Sequence, residues 1–110
     1  MNLLGFRKRH THATQLATLA QYVAKRSAGP VRRRLGLHVG QMSAAEARGY
    51  IRARAASVIA REAGIALNGI AAVADRLRDP LVVRSTSLVV DQVARDLQQE
   101  RTEFDLRKAG

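Results

Sequence analysis

Three short basic runs carry the residue types and spacings most able to do chemistry: Arg7-Lys8-Arg9, Lys25-Arg26 and Arg32-Arg33-Arg34. The first forty-five residues hold these eight bases and no Asp or Glu, whereas the remaining sixty-five set eleven Lys and Arg against all nine acids. The formal net charge of +10 is therefore concentrated at one end of the chain. A dense positive field attracts polyanions and repels its own copies. Arginine runs can lie along a phosphate backbone without a fixed fold, giving affinity and steep salt dependence but no sequence choice. Arg48, Arg52 and Asn68 extend the candidate nucleic-acid-binding set, Asn68 as a side chain able to pair with adenine. The plainer account of the same runs is a solvated basic surface.

Other chemistries lack their residues. With no cysteine, disulfides, thiolate metal sites and a cysteine nucleophile are excluded. His10 and His12 sit beside a basic run and His38 stands apart, so cations oppose a divalent metal and no carboxylate lies near in sequence. Gly36-Leu37-His38-Val39-Gly40 lacks the Lys-Ser/Thr ending and the strand-loop-helix setting of a phosphate loop. The serines have no histidine and acid companions at motif spacing. Phe6 is the only aromatic close to a basic cluster, too few to stack single-stranded bases. Leu3, Leu4 and Phe6 beside Arg7-Lys8-Arg9 would bind an anionic lipid surface only weakly. The expectation is a protein that is not an enzyme and that uses no cofactor and no metal.

The elements that must position the arginines follow from periodicity. At 110 residues the chain is one domain's worth. Its apolar residues are mostly Ala, Leu, Ile and Val, which predicts closely approaching helices. Residues 1–10 are expected to form an extended basic arm and 11–110 a single helical domain. Leu16, Leu19, Ala20 and Val23 predict a helix over 11–27, ended by Gly29-Pro30. Residues 28–42 read as a connector, because Leu35, Leu37 and Val39 alternate like a strand with nothing to pair with. Ser43-Ala44-Ala45-Glu46 is a capping box that starts a helix over 43–63, with Gly64 as its stop and Glu62 as an acid of its last turn. Leu67, Ile70, Val73, Ala74 and Leu77 predict a helix over 66–78. Asp79 as N-cap and Pro80 at the first helical position then begin a long helix over 80–107. The fold class is all-α, a bundle of three to four helices.

Ile59-Ala60, Gly64-Ile65, Ile70 and Val73 fall in an order that resembles the helix-turn-helix of bacterial repressors, and the string from Ile59 to Ile65 looks like the opening of lac-repressor-type DNA-binding domains. The likeness covers about residues 56–75. It implies a left-handed turn at Gly64, close helix approach at Ala60, buried Ile59, Ile65, Ile70 and Val73, and a recognition helix presenting Asn68, Ala71, Ala72 and Asp75. Three of those four are poor readers, since alanines offer only methyl contacts and Asp75 repels phosphates.

Taken together, the sequence points to a small basic nucleic-acid-binding protein that contacts DNA or RNA mainly through phosphates. The alternative is a non-enzymatic structural or interaction protein, a helical subunit of an oligomer or larger assembly. Leu81 and Leu88, one heptad apart off the main apolar stripe, offer a seam for a homodimer. No apolar run approaches the roughly 20 residues of a transmembrane helix. A cytoplasmic location is expected, with organellar import as a minor alternative because the N-terminus is Arg-rich and acid-free.

Overall fold

The computed structural model describes the backbone of residues 3–109 and the side chains of 13–70 and 74–109. Within that span the protein is all-helical: α1 (Leu3–Arg33), α2 (Ala44–Leu67) and α3 (Ala71–Ala109), with a 3-10 turn at Leu37–Gln41 between α1 and α2. The helices run up, down and up. Arg26 meets Glu62 and Arg34 meets Ser57 across α1 and α2, Arg48 meets Asp91 across α2 and α3, and Arg32 meets Asp96 across α1 and α3. α1 and α3 are thus parallel, with α2 antiparallel to both.

One stripe from each helix makes the core. Ala20, Val23, Ser27 and Val31 come from α1; Ile51, Ala55, Val58, Ile59, Ala63 and Leu67 from α2; Leu81, Ser85, Val89, Val90 and Val93 from α3. Steps of three and four along each stripe keep these side chains on one face of a 3.6-residue helix. Small residues on α1, Ala20 and Ser27 among them, let the axes approach closely. Burial of a Val, Leu or Ile side chain contributes roughly 1.5–3 kcal/mol, so these stripes supply most of the stabilisation.

Several expected boundaries move, each because core registration outweighs a local signal. α1 starts at Leu3, so the arm expected over 1–10 is continuous with the first helix from that residue. α1 also runs through Gly29-Pro30 to Arg33. Glycine lacks the Cβ that would clash with the proline ring, Pro's fixed φ is helical, and buried Val31 holds the last turn against the core. The connector shrinks to residues 34–43 and winds a 3-10 turn that buries Val39.

The capping box forms as expected: Ser43 Oγ accepts from the Glu46 amide and Glu46 accepts from the Ser43 amide. Gly64 does not stop α2, which continues to Leu67 because Ala63 and Leu67 remain on the core stripe. Glu62 consequently sits more than a turn inside the helix. The reversal comes at Asn68-Gly69-Ile70, where the Asn68 amide donates to Ile65 and the Ile70 amide to Leu67.

The two helices expected over 66–78 and 80–107 are one, α3, with Pro80 in its interior. Asp79 therefore caps nothing. Leu77, Leu81 and Ser85 stay in helical register against the core across the proline, and that register is what a break would lose.

The helix-turn-helix geometry is overturned at its turn. No glycine among the described residues has a positive φ, and Gly64 is an interior residue of α2. Ala60 is exposed and approaches no helix closely. Ile65 is 54% exposed where the resemblance requires burial. Arg48 and Asp91 lie far on either side of the reversal and still pair at 2.5 Å, so α2 and α3 form an antiparallel hairpin. Helix-turn-helix elements cross at roughly 90–120° instead. Val73 lies outside the described side chains.

Candidate nucleic-acid interface

α1 and α2 collect the charge. α3 is balanced, with seven acids and seven bases between Asp75 and Lys108, which leaves the excess on α1, the turn after it and α2. Within those two helices the fold sorts the arginines onto two sides of the molecule.

The outer face where α1 lies beside α2 gathers Arg26, Arg33, Arg34, Arg54 and Arg61. Arg26 donates to Glu62 at 3.4 Å and Arg34 to the Ser57 hydroxyl at 2.7 Å, which fixes both on the α1–α2 seam. Arg33 follows Arg26 by two turns and shares its side of α1. Arg54 and Arg61 flank Ser57 at three and four residues, so they share its side of α2. Tyr50 lies on the same flank, where its hydroxyl accepts from the Gly36 amide at 3.0 Å and its ring lies under the Arg54 guanidinium at 5.2 Å. The acid on the seam itself is Glu62, whose side chain is only 14% exposed and already engaged by Arg26; exposed Glu46, one turn before Tyr50, is a second acid on this side of α2 and closes the capping box. Arg33, Arg54 and Arg61 are exposed and pair with no acid among the described residues.

The remaining candidates are placed elsewhere. Arg32 turns to α3, where it pairs with Asp96 at 3.9 Å and with Glu100. Arg48 is held by Asp91. Lys25 borders the groove between α1 and α3 near Leu88 and Asp96. Arg52 follows Arg48 by one turn and lies on the α3 side of α2. Asn68 is exposed in the turn after α2, presented by no helix face. Arg7, Lys8 and Arg9 lie outside the described side chains.

Of the arginines that sequence reasoning singled out, Arg26, Arg33 and Arg34 are brought together, and Arg54 and Arg61 join them. A signal for the last two exists in the sequence, since they are seven apart on one side of α2. It has no meaning until the antiparallel packing of α2 on α1 is known. The expected dimer seam fails for a related reason: Leu81 is fully buried and Leu88 packs partly against the core, so neither forms an exposed stripe.

No group of metal-ligating side chains occurs among the described residues. No helix among them is long and apolar enough to cross a membrane. Set beside known proteins, the chain matches no family model, no curated protein and no solved structure.

Proposed function

We propose that this protein binds nucleic acid through phosphate contacts made by the basic α1–α2 face. The observation that carries the reading is the sorting of charge: five guanidiniums share that face, the carboxylate on its seam, Glu62, is mostly buried and a second, Glu46, stands at the start of α2, while α3 on the far side is neutral. Arginines at helical spacing on two adjacent helices form a row that can follow a phosphate backbone. The face offers no base reader comparable to an Asn or Gln projecting from a groove-binding helix, so the expected binding is sequence-tolerant. The basic run at residues 7–9 would add to the same field.

The test is a salt titration of binding to random duplex DNA and to single-stranded RNA by fluorescence anisotropy. Replacing Arg33, Arg54 and Arg61 together with Ala is expected to weaken binding at least about tenfold and to lower the salt slope by about three, one per lost phosphate contact. Replacing Arg76, Arg78 and Arg84 on α3 removes the same charge and is expected to cost less than about threefold. Equal losses from the two sets, or no binding at low salt, would remove this reading. A non-enzymatic interaction protein, with the arginines meeting an acidic protein surface, is the second reading; the exposed end of α3 favours it.

A further inference from the structure

Tyr22 stands at one end of the basic face. It precedes Arg26 by one turn of α1, and the Arg26 guanidinium lies over its ring at 5.6 Å. Phe6, the one aromatic expected beside a basic run, is therefore joined by a second. Tyr22 is 48% exposed and borders the groove between α1 and α3 on its other side. Ile65, one turn beyond Arg61 on antiparallel α2, is 54% exposed at the same end. From Tyr22 the line through Arg26 and Gly29 to Arg33 follows the outer side of α1 for about 16 Å at 1.5 Å per residue. A Cβ added to Gly29 would come within 3.4 Å of Arg33 Nη1, so Arg33 folds back along this line. On α2 the small residues Ala53 and Ala60 are exposed beside Arg54 and Arg61. The face is thus low in relief, with cations along it and an open aromatic ring at its end.

We propose that the polynucleotide held on this face is single-stranded, with its phosphates on the arginines and one base stacked on Tyr22. The inference rests on the reading of the α1–α2 face as a phosphate-binding surface. Two observations choose the single strand. A duplex keeps its bases stacked inside and would offer this face phosphates and sugars alone, leaving Tyr22 and Ile65 without a partner. An unpaired base has a free π-face, and the exposed part of the Tyr22 ring is open to a flat partner while Arg26 covers its other part. Gripping a duplex groove also takes an element that projects into it, a helix in the major groove or an arm in the minor one. The described residues of this face lie on two helices side by side, and none of them projects in that way. Stacking accepts any base, which agrees with a face that has no base reader.

The experiment titrates the full chain with short oligo-dT and oligo-U, which carry no paired structure, and with a DNA duplex of equal length. The chain has two tyrosines and no tryptophan, so tyrosine emission reports on the ring directly. Either single strand is expected to quench that emission in the wild type, whereas in Tyr22→Phe the emission of Tyr50, whose ring lies under Arg54, should hold steady. Tyr22→Ala is expected to weaken binding of the single strands at least about fivefold and of the duplex less than about twofold, while Tyr22→Phe keeps the ring and the affinity. Circular dichroism of Tyr22→Ala should match the wild type, because the ring lies outside the core. The tighter of oligo-dT and oligo-U identifies the sugar that this face prefers and supports the proposal in either case, provided that Tyr22→Ala weakens it. A Tyr22→Ala variant that acts on duplex and single strands alike, or on neither, overturns the proposal and leaves the phosphate reading to its arginine variants. Quenching that persists in Tyr22→Phe overturns it as well. Absence of binding to all three probes removes both readings.

Discussion

Ser27 and Ser85 are fully buried, and neither hydroxyl has a hydrogen-bond partner among the described residues. Thr86 beside Ser85 shows the usual solution, its Oγ1 donating to the Val82 carbonyl at 2.6 Å one turn back. An orphaned buried hydroxyl costs roughly 1–3 kcal/mol, while the small size of serine is what lets the helices approach. Alanine keeps the size and removes the orphan. Ser27→Ala and Ser85→Ala are each expected to raise stability by about 1 kcal/mol in urea unfolding; a loss of stability would mean that the hydroxyls are satisfied in solution. The arginines divide by the same local accounting. Arg32, half-buried, and Arg48, exposed, are held by acids of α3, worth about 0.2–1 kcal/mol per pair. Arg32→Ala should therefore lower stability slightly and leave nucleic-acid affinity within about twofold. Arg33→Ala should do the reverse, although the two residues are adjacent in sequence.

Helices α1 and α3 each contain a proline, and neither breaks there. Pro80 removes one backbone hydrogen bond and crowds the preceding turn, a cost of roughly 3 kcal/mol in an unconstrained helix, and burial of Leu81 and Val89 beyond it offsets that cost. Pro80→Ala is accordingly expected to stabilise the protein, by about 1–3 kcal/mol, with no change in helical content by circular dichroism. Leu81→Ala tests the same register from the other side. Leu81 is a core residue and no part of an exposed seam, so its truncation should cost about 2–5 kcal/mol. At the head of α2, Ser43→Ala removes half of the capping box and should cost about 1 kcal/mol. The capping box was legible because its partners lie three residues apart. The ends at Arg33 and Leu67 were not, because they depend on Val31 and Leu67 meeting side chains far away in the chain.

The whole molecule measures 63 × 28 × 20 Å, and its long dimension is close to the roughly 58 Å of α3 alone. α1 and α2 lie along this strut and carry nearly all the unbalanced charge, so the particle is electrostatically two-sided. High salt should accordingly weaken nucleic-acid binding steeply while changing the melting temperature little, because each cross-helix ion pair keeps at least one solvent-accessible partner and is individually weak. A melting temperature that falls in parallel with affinity would show that the ion pairs carry the fold.

The sequence by itself determined the helical class, the apolar stripes, the capping box and the excess of positive charge. Each rests on residues three or four apart or on composition, which hold whatever the chain packs against. Only the tertiary structure decided that Arg26, Arg33, Arg34, Arg54 and Arg61 share a face while Arg32 and Arg48 serve as clamps. It alone decided that Leu81 lies in the core and Phe104 outside it. Those distinctions depend on which flank of each helix meets which neighbour. The antiparallel turn at Asn68-Gly69-Ile70 and the lengths of α1 and α3 set that relation across the fold, and no local spacing encodes it.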